Sequence, residues 1–211
     1  MRVLFFCFRN WESHKTMGQN KNNLQSFVWI VLLTVFSWSA PLPVALSAEA
    51  ERSIEIFLTK KEALALAFPG ADEIRKVKKW LTDSQIAAIA ELSGQKFNAK
   101  RLKFYIGIKN GQPMGTMSIG NEIGRSYPIT FMVVINPDGT VKDVEVMVYR
   151  EPHGWEVRFD SFLSQFFGQS AQSPFDNIHN ITGATLSVRS MTRGIKKAVA
   201  AYQVLFLDQV E

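Results

Sequence analysis

The chain has 211 residues, 46% of them hydrophobic and 20% charged, with a formal net charge of +5. That is enough apolar material for one core-bearing domain with extensions. Arg2, Arg9, Lys15 and Lys21 against Glu12 and Glu49 account for two of those charges, and the remaining +3 or so, without a basic run interleaved with aromatics, excludes a nucleic-acid-binding design. Cys7 is the single cysteine, so the chain beyond residue 50 has no disulfide, thiol nucleophile or thiolate metal site. His14, His153 and His179 stand in separate segments without zinc-ligand spacing, so no metal site is expected.

Residues 1–50 read as a leader. Residues 27–36 form an uncharged apolar run, Pro41 and Pro43 end any helix there, and Ala48-Glu49-Ala50 offers the small-x-small pattern of a signal-peptidase site before Glu51. Ala45-Leu46-Ser47 is a second candidate site. The run falls short of the roughly 20 apolar residues of a membrane span, which favours a cleaved signal over an uncleaved anchor. Met17 followed by Lys21 would begin a normal basic signal region, so translation is expected to start there. The expected organisation is a leader over 1–50, an N-terminal helical segment over 51–100 and the main domain over 101–211.

Thr59 precedes a helix over 60–68 that Pro69-Gly70 stops. A charged helical segment is predicted over 72–80. Thr82 with Gln85 three residues on makes a capping box for a helix over 83–93, ended by Gly94. Strands follow at 102–108, 114–119, 129–135 and 141–149, with Asn110-Gly111 and Asn136-Pro137-Asp138-Gly139 as turns. A short helix over 160–167 presents Phe162, Leu163 and Phe166 on one face. A long helix from about Ser187 to Leu207 carries apolar residues at helical spacing from Val188 to Leu205, with Arg189, Arg193, Lys196 and Lys197 read as a solvated face or a docking stripe. Helices first and a meander of antiparallel strands afterwards give an α+β fold, with the long C-terminal helix packed on the sheet.

Before that last helix stands Asn180-Ile181-Thr182-Gly183-Ala184-Thr185-Leu186-Ser187, with three hydroxyls around a Gly-Ala pair. Ser and Thr are preferred N-caps, and Ser187 alone could serve as one. The same small residues would also leave backbone N–H groups open at the positive end of a helix, where phosphate binds. Both readings stand on the residues alone.

Thr182–Ser187 resembles the [ST]-G-A-T-[LI]-[ST] motif of the FMN-binding domain family, found in the periplasmic FMN-carrying subunits of the sodium-pumping NADH:quinone reductase and the Rnf complex and in small exported flavoproteins. Arg150–Glu156, with Glu151, Pro152, His153, Gly154 and Trp155, resembles the family's acidic-Pro-Gly loop, and Phe162–Gly168 its F-x-x-Q-F-x-G segment. The order of these stretches also matches, over about 124–205. The resemblance implies FMN joined to Thr185 by a phosphoester. Thr182, Gly183, Ala184, Leu186 and Ser187 would form the phosphate loop, and Glu151, His153 and Gly154 would stand near the ring. It implies a flavin transferase as attachment partner, with FAD as donor, and a redox protein or membrane electron-transport complex as electron partner. The protein would be exported to the periplasm and act as an electron relay rather than as an enzyme with its own substrate. One position departs: the family usually has Asp six residues before the acceptor Thr, and this chain has His179. Non-covalent FMN or phosphate binding, and a partner-binding role without redox turnover, are the competing readings. Glu151 is read either as a ring-side group or as a salt-bridge partner of Arg150 or Arg158. Trp155 and Phe166 are read either as stacking partners of the ring or as core.

Overall fold

The computed structural model describes residues 54–208. The leader, with Cys7, the candidate start at Met17 and both cleavage candidates, lies outside the described residues. The elements run β1 (Glu55–Ile56), α1 (Lys60–Ala67), β2 (Glu73–Trp80), α2 (Asp83–Ser93), β3 (Arg101–Lys109), β4 (Gln112–Ile123), β5 (Pro128–Ile135), β6 (Val141–Tyr149), a 3₁₀ turn (Trp155–Arg158), α3 (Asp160–Leu163) and α4 (Thr185–Tyr202). The strands form one antiparallel sheet in the order β1-β6-β5-β4-β3-β2, so the fold is the expected α+β meander.

β5 is central, and this explains its unbroken apolar sequence. Ile129, Phe131, Val133 and Ile135 face α4, meeting Val188, Met191, Ile195 and Val199. Met132 and Val134 face the other way, onto Ala63, Ala67 and Phe68 of α1 and its end. A strand buried on both faces has no reason to alternate. α2 packs Ile89 against Phe104 and against Ala200 and Ala201 near the end of α4. Helix and sheet approach closely at Gly194, where a Cβ would stand 2.3 Å from the Phe131 ring.

The helical segment predicted over 72–80 is corrected: these residues are β2, paired with β3 through eight consecutive positions. Glu73-Ile74-Arg75-Lys76-Val77-Lys78-Lys79-Trp80 carries charge at most positions, so no apolar stripe of either period dominates. Pairing with β3 then decides, and branched Ile74 and Val77 fit a strand. β4 extends four residues beyond the expected end at Ile119, and α4 begins at Thr185 rather than Ser187. β1 was not expected; two residues are too few to leave a pattern.

The basic stripe on α4 is not a solvated face. Lys197 pairs with Glu122 at 2.7 Å, Arg193 donates to the Ile123 carbonyl at 3.3 Å, and Lys196 donates to the Pro174 carbonyl at 3.1 Å while lying over the Phe175 ring. Three of its four cations therefore hold α4 to β4 and to the preceding loop. Among the described residues no helix is long and apolar enough to cross a membrane.

Candidate functional site

A cleft of about 460 Å³ opens at the N-terminus of α4. This is within the roughly 300–1,000 Å³ of small-molecule sites. Gly183, Ala184, Thr185, Leu186 and Ser187 line one side. Glu151 to Glu156, from the loop after β6, and Arg125, from the β4–β5 turn, line the other. A larger hollow of about 760 Å³ lies where β3 and β4 part beyond the Phe104–Ser118 pair. Its Glu122 and Lys197 are spent on one another. Of these two clefts among the described residues, the smaller is the candidate site, because it combines an open helix end with the Thr185 hydroxyl.

The end of α4 is open in a way the ends of α1 and α2 are not. Thr59 caps α1 and Thr82 caps α2, each with a complete capping box through Glu62 and Gln85. α4 has Ala184 at its N-cap and no side-chain cap. The first intrahelical bond there runs from the Val188 N–H to the Ala184 carbonyl at 2.9 Å. The N–H groups of Thr185, Leu186 and Ser187 thus lie at the uncapped, positive end of an 18-residue helix. Ser187 does not cap: it lies inside the first turn and hydrogen-bonds Tyr149 Oη at 2.8 Å.

Tyr149 fixes the direction of that bond. Its hydroxyl donates to the His153 carbonyl at 2.6 Å, and a carbonyl can only accept. The Ser187 hydroxyl is therefore the donor to Tyr149. Burial first, against the Ser187 bond, pushes the Tyr149 phenol up to about 12, so the side chain stays protonated at neutral pH. Gly154 completes the seam with φ +88°; a Cβ there would stand 2.7 Å from Ser187 Oγ and 2.9 Å from Tyr149 Oη. Of the three hydroxyls in the motif, Ser187 is committed to this seam, Thr182 is exposed outside the cleft, and Thr185 lines the cleft half-buried with no partner among the described residues.

The loop residues divide in the same way. Glu151 is buried, and its Oε1 accepts from the Ser126 and Tyr127 N–H groups at 2.6 and 2.8 Å. The salt-bridge reading of Glu151, one of the two the sequence left open, is corrected: among the described residues Glu151 pairs with neither arginine. Arg150 donates instead to the Pro128 carbonyl and Thr130, and Arg158 lies over Phe57, Trp155 and Phe159. Glu151 therefore clamps the turn that presents Arg125. His153 contributes its carbonyl, and its side chain is exposed. Phe166 is fully buried, edge-on to Phe162 at 5.3 Å, which makes it core and not a stacking surface. Trp155 lines the cleft at 38% exposure. Gln165 accepts from the His179 N–H at 2.7 Å and so ties the polar loop to the turn after α3.

Sequence reading missed Arg125 and Glu156. A lone arginine in a turn carries no local signal; only the fold brings it to α4. Glu156 Oε2 is buried in the cleft wall with no hydrogen-bond partner among the described residues, an acceptor open to a donor.

Residues 124–200 match the model of the FMN-binding domain. A subunit of the proton-translocating ferredoxin:NAD(+) oxidoreductase complex of Clostridium ljungdahlii is 29% identical over 49% of this chain and 61% of its own length. A subunit of the Na(+)-translocating ferredoxin:NAD(+) oxidoreductase complex of Acetobacterium woodii is 25% identical over 57% of this chain and 64% of its own length. The chain thus spans somewhat over three-fifths of the curated relatives it matches. The crystal structure of Shewanella oneidensis NqrC aligns with 65% of this chain and 84% of that one at 16% identity and a TM-score of 0.46. The matched segment, residues 124–200, holds the β4–β5 turn, the loop after β6 and the open end of α4, and it is this segment that is similar to the FMN-binding domain family.

Proposed function

We propose that the cleft holds FMN with its phosphate at the open end of α4, ester-linked to Thr185, and that the protein relays electrons as a partner or component of a membrane electron-transport complex. The observation that carries this reading is the uncapped N-terminus of α4 beside a free Thr185 hydroxyl, within a matched FMN-binding domain. The names of the two ferredoxin:NAD(+) oxidoreductase relatives support the electron-transport setting. The apolar leader supports export to the periplasm, where a flavin transferase would make the ester.

The residues present fit the cofactor. Three N–H groups at a helix terminus suit a phosphate dianion, and the Arg125 guanidinium adds positive charge at the same cleft. Trp155 offers an indole face and Glu156 Oε2 an unsatisfied acceptor for a ring N–H. FMN supplies reversible electron transfer when bound. The chain's own part is to hold, orient and shield it. Glu151 and the Ser187–Tyr149–His153 seam keep both walls of the cleft rigid. Covalent attachment makes occupancy independent of free FMN concentration.

His179 favours a second reading, non-covalent FMN, because the attachment motif usually has Asp there. The fold has no need for that side chain: His179 is exposed and contributes its backbone N–H to Gln165.

Thr185→Val removes the hydroxyl and keeps the side-chain shape. Coexpressed with a flavin transferase, the variant is expected to fold normally and to show no flavin fluorescence on a denaturing gel, while the parent protein does. Denaturation-resistant flavin persisting in the variant at another residue would overturn the assignment.

A further inference from the structure

We propose that one face of the β2–β3 ribbon rests on an anionic phospholipid surface. Lys76, Lys78 and Trp80 of β2 stand opposite Tyr105, Lys103 and Arg101 of β3, and strand alternation puts all six on one face. The four cations and Trp80 are exposed, whereas Tyr105 is buried beneath α1 with Ala63, Ala67 and Phe68, so the open part of the face is the end from Lys76 to Trp80. Among the described residues none of the four pairs with a carboxylate; the ion pairs are Arg75–Glu73, Lys100–Asp83 and Lys197–Glu122. Asp143 and Glu145 lie on β6, toward the other edge of the sheet.

Like charges directly opposite one another destabilise a ladder, so Lys78 facing Lys103 works against the fold. Lysines do protect an edge strand from pairing with other chains, and β2 is an edge. Edge protection asks only for charge, however. It does not call for Trp80 at 71% exposure on the same strand, with the Arg101 guanidinium 5.2 Å above its ring. Ile123 on β4, 55% exposed, lies at the same end of the sheet. An indole among cations, with an exposed isoleucine two strands away at the same end of the sheet, is a composition that settles at the headgroup level of a bilayer. Three of the four cations are lysines, which are depleted in protein–protein interfaces and attracted to anionic lipid. The partner is therefore a lipid surface and not an acidic protein.

Each cation near an anionic leaflet raises partitioning about fivefold. Ile123 is followed by Gly124 and Arg125, and Arg125 lines the cleft, so a bilayer under this ribbon lies beside the site. That last consequence rests on the proposed function; the lipid contact does not.

The test is hydrogen–deuterium exchange on the full chain reconstituted in vesicles of phosphatidylcholine alone and of phosphatidylcholine with phosphatidylglycerol. The double variant Lys78→Gln, Lys103→Gln keeps the leader and so separates contact by the ribbon from binding by the leader. Peptides covering β2 and the start of β3 are expected to exchange roughly tenfold more slowly on the anionic vesicles only, an effect lost at high salt and in the double variant Lys78→Gln, Lys103→Gln. Unchanged α2 peptides would show that the variant remains folded. Equal exchange on both vesicles would overturn the proposal. So would protection that follows an added acidic protein while anionic vesicles give none.

Discussion

Tyr149 sets the division of labour among the motif hydroxyls. Because its proton goes to the His153 carbonyl, Ser187 must donate to it and is unavailable for phosphate chemistry. Thr185, two residues earlier on the cleft wall, is left free. This discrimination is invisible in the motif, where Thr182, Thr185 and Ser187 look interchangeable. Glu145 shows a different residue-scale effect. Burial, then the charges of Asp143 and Asp160, raise its carboxyl to about 7. A carboxyl with a raised folded-state value stabilises the fold when protonated. Its contribution is complete below the unfolded value and is lost as pH rises through about 7. Stability is therefore expected to fall between the ordinary carboxylate range and neutrality. Discounted for the screening that the half-exposed side chain receives from solvent, the decline is on the order of 1–2 kcal/mol, and Glu145→Gln is expected to flatten it. Denaturant titrations at a series of pH values check this; an unchanged slope in the variant would contradict it.

At the scale of elements, the helix ends carry most of the argument. Thr82 and Gln85 close α2 with bonds of 3.2 and 3.1 Å. Thr82→Ala is expected to cost about 1 kcal/mol, lowering the thermal midpoint by a few degrees without altering flavin loading. A midpoint unchanged in calorimetry would show that the cap does not hold α2. The Thr82–Gln85 capping box was legible because its partners are three residues apart in sequence; the Thr59–Glu62 box has the same spacing and emerged only with the structure. The turns at Gly94 and Gly139 were legible for the same reason; their φ values are 62° and 90°. The strand nature of 73–80 was not, because its stability comes from pairing with β3 more than twenty residues on. Nor was the work of Arg193, Lys196 and Lys197, whose partners lie on β4 and in the Pro174 loop. The family motif located the site, but the missing cap on α4, which separates phosphate binding from simple helix capping, is visible only in the folded chain.

For the whole molecule, the sheet acts as a frame between two functions. Its central strands are buried on both faces and fix the β4–β5 turn relative to α4, so that Arg125 meets the open helix end. Its β2–β3 edge carries the basic face proposed to meet lipid. The central claim is that Thr185 holds FMN, and intact mass of the full chain coexpressed with a flavin transferase, followed by peptide mapping, tests it most directly. The expected result is a gain of one FMN less one water on the peptide containing Thr185, with a larger modified fraction in His179→Asp. An unmodified mass in both proteins, or a flavin mapped to any other residue, would contradict it.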